Sequence, residues 1–216
     1  ALMVTKEGFP IAFEIFSGNT FEGHTIIPTI KNFIGRNKVK EFTVVADAAM
    51  ISSENITQLN QNEINYIVGA RLGNLSIKLL ETVDKQIVRA DGKSIRIKTE
   101  LGYLICSYSS VRYRKDLYEM NKQIEKAKQV VEVPSKSRKL KFTKTNDQKL
   151  ELNEELIEKT KKLLGIKGYY TSLEENIADN KTIIERYHEL YKIEQAFRVS
   201  KGDLQTRPLF HFKEQP

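Results

Sequence analysis

At 216 residues the chain is long enough for one large domain or two small ones with a buried core. Its 40% apolar and 29% charged residues suit a water-soluble globular protein, and no apolar run approaches the ~18 residues that span a bilayer. The net charge of +7 points to a polyanionic partner, either nucleic acid or an anionic membrane surface, with a merely Lys-rich composition as the plainer alternative. The single cysteine, Cys106, excludes an internal disulfide and gives no sign of an oxidising compartment, so the chain is read as cytoplasmic.

In chain order, "ALMVT", "KEGFP" and "IAFEIFSG" predict strand, turn and strand. "NTFEGHTIIPTIKNFI" has apolar residues at helical spacing, with Pro28 making the helix imperfect. "EFTVVAD" predicts a short strand ending in Asp47, and "SSENITQLNQNEI" a helix capped by Ser52 or Ser53. "NYIVGARL" predicts another buried strand, and the alternation so far is an α/β pattern.

From about Gly73 the texture changes. "IKLLETVDKQIVRADGKSIRIKTELGYLICSYSS" predicts two or three antiparallel strands, with a turn at Asp91-Gly92 and a break at Gly102. "VRYRKDLYEMNKQIEKAKQVV" predicts a long charged helix whose apolar face carries Leu117, Met120, Ile124, Ala127 and Val131. "VPSKSRKLKFTKTNDQK" reads as basic loop with one strand, and "LNEELIEKTKKLLG" as a helix ending at Gly165. "IKGYYTSL" predicts a strand, and "NKTIIERYHELYKIEQAFRVSKGD" one last long helix, capped by Asn180 and ended by Gly202. The expected organisation is an α/β core in two parts, 1–72 and 166–216, interrupted by a β-rich and helical insertion over 73–165. The chain opens directly on a strand and ends on "RPLFHFKEQP" without a closing helix, so both ends read as cut from a longer protein.

Two carboxylates draw notice. Asp47 ends a buried strand, where α/β sheets place functional residues and where a carboxylate can ligate Mg²⁺; capping the following turn is the more ordinary task. Glu194 lies in a line with Tyr187 and Lys201, each seven residues apart. If its helix packs on the sheet, Glu194 faces Asp47, and with one more acid the pair holds two cations ~3.5–4 Å apart for phosphoryl transfer. Pairing with Arg198 on a solvated face is the plainer alternative. Lys201, Tyr187, Arg198 and Arg207 are candidates to bind phosphate oxygens. His24, His188, His211 and Cys106 lack metal-ligand spacing, and the eleven glycines form neither a dinucleotide fingerprint nor a P-loop. No small-molecule substrate and no membrane is expected.

"VVADAAMIS" resembles the second-Asp strand of DDE-type insertion-sequence transposases, and "YHELYKIEQAFRVSKGDLQTRP" resembles their third-carboxylate helix. One group of these enzymes carries a Tyr, two residues, Arg, three residues, Glu, six residues, Lys signature. Tyr187, Glu194 and Lys201 fall at those positions, while Leu190 stands where the Arg belongs; Arg186 or Arg198 is a candidate substitute. "IVGARL", "SYSSVRYRKD" and "RPLFHF" also resemble that group. The resemblance implies an RNase H-like mixed sheet with flanking helices and an insertion before the Glu. It implies two Mg²⁺ (or Mn²⁺) ions, nicking at transposon ends and attack of the freed 3′-hydroxyl on target DNA, with a homodimer on the DNA. It makes Asp47 and Glu194 metal ligands, and Tyr187 and Lys201 phosphate contacts. The family also needs an Asp on an earlier strand, yet no Asp precedes Asp47. That acid is expected in a portion upstream of Ala1, and the chain by itself is expected not to cleave DNA. A non-catalytic nucleic-acid-binding remnant is the alternative.

Overall fold

The computed structural model describes residues 2–5, 7, 9–17, 20, 22–37, 42–48, 52–132, 140–146 and 149–203. The architecture is α/β, with a mixed five-stranded sheet and flanking helices, as an RNase H-like fold requires. The sheet order is β3-β4-β9-β6-β5, where β3 is Thr43–Ala46, β4 Asn65–Ala70, β5 Ser94–Thr99, β6 Gly102–Tyr108 and β9 Ile166–Thr171. By contact density the chain divides into two compact units, Ala1–Gly69 with Lys98–Tyr103 and Tyr169–Pro216, and Ala70–Ile97 with Leu104–Gly168.

In the first unit, β1 (Leu2–Val4) and β2 (Pro10–Phe13) form an antiparallel pair with Leu2 opposite Phe13. Helix α1 (Ile26–Asn37) follows a 3₁₀ turn at Glu22–His24. Pro28 occupies its first turn, where a missing N–H costs nothing because those groups have no intrahelical acceptor. Strands β3 and β4 run parallel, Thr43 opposite Asn65 and Ala46 opposite Val68, joined through α2 (Ser53–Gln61). The Ser52 hydroxyl caps α2 by accepting from the Asn55 N–H at 3.1 Å. Alternate side chains leave opposite faces of these strands. Ala46, Tyr66 and Val68 pack against Ile26, Ile30, Ile56 and Leu59. Thr43, Val45 and Ile67 line a cavity on the other face, together with Leu190 and Ile193.

The closing segment is two helices rather than one, α6 (Asn180–His188) and α7 (Tyr191–Lys201). Neither Pro nor Gly interrupts it. Instead the backbone tightens: Leu190 N–H donates to Tyr187, Lys192 to Glu189 and Ile193 to Leu190, each an i to i−3 bond. The line Tyr187–Glu194–Lys201 is therefore divided between two helices. The cap is Asp179, which accepts from the Thr182 N–H at 2.8 Å, and Asn180 is the first helical residue.

In the second unit, residues expected as strand form α3 (Ile77–Gln86). Ser76 caps it, and Leu80, Val83 and Ile87 fall at helical spacing and are buried. The Asp91-Gly92 turn precedes β5, and the hairpin turn is instead Glu100-Leu101, between β5 and β6, in the segment Lys98–Tyr103 that belongs to the first unit. Helix α4 (Ser110–Glu132) buries Met120 and Ala127 against Phe142, Ile157 and Leu164. The basic loop region yields a hairpin, β7 (Thr143–Asn146) with β8 (Lys149–Leu152), where one strand was expected. Helix α5 (Glu154–Lys162) is capped by Asn153 and ends near Gly165, whose φ of 77° favours glycine. No helix among the described residues is long and apolar enough to cross a membrane.

Candidate active site

Asp47 follows the last residue of β3 and is exposed. Its Oδ1 accepts from its neighbour Ala48 N–H at 2.7 Å and from the Tyr187 hydroxyl at 2.8 Å. The first bond is a local contact with the amide of the next residue. The second reaches 140 residues along the sequence to the last turn of α6, and it fixes where the carboxylate lies. Both bonds fall on Oδ1, so neither uses Oδ2.

Tyr187 is 6% exposed. Burial first, then the hydrogen bond to Asp47 and its negative charge, push the phenol well above the ordinary tyrosine pKa. It therefore stays a neutral hydroxyl donor. Its ring meets Tyr169 of β9 edge-on, centroids 4.9 Å apart at 67°. The Tyr169 hydroxyl lies 3.3 Å from His188 Nε2, the next residue of α6.

Gly69 supplies the space. A Cβ at this position of β4 would come 2.5 Å from the Tyr187 hydroxyl oxygen and 3.0 Å from the Ala48 Cβ and N. Backbone alone fits between the phenol and the turn that carries Asp47. Gly69 and Tyr169 were not among the residues singled out from the sequence. A glycine inside an otherwise apolar strand pattern, "NYIVGARL", was the available signal of close approach.

Glu194 lies in the first turn of α7 and is exposed, as is Arg198 one turn on. Among the described residues no hydrogen bond or ion pair joins either of them to Asp47. Lys201 is the last residue of α7, and Arg207 lies outside the described residues. Leu190, at the position of the signature Arg, lines the cavity between β3, β4 and the closing helices. Arg186 lines it too, bound to Glu189 at 3.2 Å. Among the described residues no three His, Cys, Asp or Glu side chains cluster closely enough to hold a metal ion.

A model of the family described as "Transposase DDE domain" matches residues 1–213. No curated protein and no solved structure matches the chain. With nearly its whole length matched, the chain belongs to the transposase DDE domain family.

Proposed function

We propose that this transposase domain serves metal-dependent strand cleavage and transfer at transposon ends, with Asp47 and Glu194 as carboxylates of a Mg²⁺ or Mn²⁺ centre. The observation that supports it is the 2.8 Å bond holding Asp47 at the end of β3. Hard divalent cations take carboxylate oxygens, and Asp47 has Oδ2 outside both of its hydrogen bonds. Lys201, Arg198 and Arg207 supply positive charge for phosphate oxygens; the resemblance implies that task for Tyr187 too, but its hydroxyl donates to Asp47 instead. Paired transposon ends call for a homodimer on the DNA, acting in the cytoplasm.

The donor set is short of a whole centre. Residues 1–46 contain no Asp, and the described residues gather no three metal-binding side chains. They supply Asp47 and Glu194 but no third acid, which falls short of a two-ion site, so no reaction step is derived through a metal. The chain by itself is expected to bind DNA without cutting it. A gel-shift and nicking assay on a transposon-end duplex in Mg²⁺ tests this. Salt-dependent binding without turnover is expected. Absence of binding at moderate salt would remove DNA as the partner, and robust nicking would remove the claim of incompetence.

The incomplete donor set favours one rival, a nucleic-acid-binding remnant without chemistry. Glu194→Gln, assayed for both cleavage and DNA binding, separates the two. A catalytic Glu194 loses cleavage while DNA binding persists, and a pure binder changes little.

A further inference from the structure

We infer that Tyr187 is a positioning residue for Asp47, held to that task by Gly69 and Tyr169, rather than a ligand of DNA phosphate. A tyrosine hydroxyl has one proton to donate. Here that proton goes to Asp47 Oδ1 at 2.8 Å. A phosphate oxygen is also an acceptor, so Tyr187 cannot donate to one while it holds the carboxylate. The ring is not free to swing between the two. Tyr187 is 6% exposed, and Tyr169, itself 1% exposed, meets its ring edge-on at 4.9 Å. Beside the hydroxyl, Gly69 and Ala48 leave no space for another side chain.

The arrangement spans four separate pieces of sequence. Gly69 comes from β4, Tyr169 from β9, Tyr187 from α6 and Asp47 from the end of β3. A phenol required only for packing would need no acceptor, and phenylalanine would serve. A phenol for DNA would present its hydroxyl to solvent. This one is turned inward to a carboxylate whose second oxygen stays outside the bond. The effect is to hold Asp47 in one rotamer with Oδ2 presented. Its functional meaning rests on the proposed role of Asp47, while the coupling itself does not.

A double-mutant cycle tests it, with thermal unfolding and the Ala48 amide NMR signal as readouts. Tyr187→Phe is expected to lower Tm by roughly 3–8 °C in the wild-type background. In Asp47→Ala the same change is expected to cost less than half as much. The Ala48 amide, which meets both Asp47 Oδ1 and the Tyr187 oxygen, is expected to shift on Tyr187→Phe in the wild-type background and to shift less in Asp47→Ala. Gly69→Ala is expected to be partly rescued by Tyr187→Phe, since that removes the atom the new Cβ meets. Should Asp47→Ala fail to fold, Asp47→Asn, which keeps the acceptor but loses the charge, is expected to halve the cost. Additive losses with an unmoved Ala48 signal would overturn the inference. So would a fall of more than about fivefold in DNA affinity on Tyr187→Phe without coupling to Asp47, which is what a lost phosphate hydrogen bond predicts. If the wild-type chain binds no DNA at all, the transposition reading fails while the cycle still decides the role of Tyr187.

Discussion

Gly69 shows how a residue without a side chain can be the most constrained in a site. Adding one methyl there meets the Tyr187 hydroxyl and both the Cβ and N of Ala48. Overpacking of this kind costs about 1–3 kcal/mol, and urea denaturation of Gly69→Ala measures it. Asp47 and Tyr187 were both singled out in the sequence, one from its place at a strand end and the other from the family signature. Their hydrogen bond was not, because 140 residues separate the two and no local pattern encodes a contact of that range. The unused nucleophile of the chain is Cys106, fully buried in β6, where burial alone pushes the thiol pKa up to about 12. As the single cysteine it gives a clean readout. A thiol reagent is expected to leave the native protein unlabelled at neutral pH and to label it in urea. Rapid labelling of the folded chain would contradict the burial.

The elements read best from the sequence were those with local capping chemistry. Ser52 or Ser53 announced α2, the structure choosing Ser52, and the apolar face of α4 was visible through Met120, Ile124 and Ala127. The region 77–86 was misread because Ile77, Thr82, Val83 and Ile87 are β-branched and favour strands; burial of Leu80 and Val83 at helical spacing overrode that preference. Two junctions carry predictions of their own. Glu63, just past α2, has a φ of 56° and is exposed. Glycine tolerates that conformation, so Glu63→Gly is expected to stabilise the protein by about 0.5–1 kcal/mol in chemical denaturation. Asp91 caps α4 with both oxygens, taking the Ser110 N–H and the Ser110 hydroxyl at 2.6 Å each. Those bonds, the side-chain one first, lower its pKa below the ordinary 3.8. A depressed acid stabilises the fold above its unfolded pKa and loses that contribution as pH falls through its folded one. Asp91→Asn should therefore weaken the protein at neutral pH, with the difference from wild type shrinking below about pH 4 in acid unfolding followed by circular dichroism.

At the scale of the whole molecule, the α/β class was legible because strands and helices alternate through the first 70 residues. The break of the closing helix at Leu190 was not, since it is made by backbone bonds tightening to i−3 without any breaker residue. That break places Tyr187 and Glu194 on different helices. The net charge of +7 fits the proposed DNA partner, and binding of that kind is expected to weaken with salt by a slope of about 0.9 per phosphate neutralised. In the proposed metal centre Asp47, oriented by Tyr187, and Glu194 share one divalent cation. Paramagnetic broadening by substoichiometric Mn²⁺ reads this even where affinity is weak. The amide signals of Ala48 and Glu194 are expected to broaden together, and both to be spared in Asp47→Asn. Broadening at Glu194 that survives Asp47→Asn, or no broadening at either residue, would contradict it.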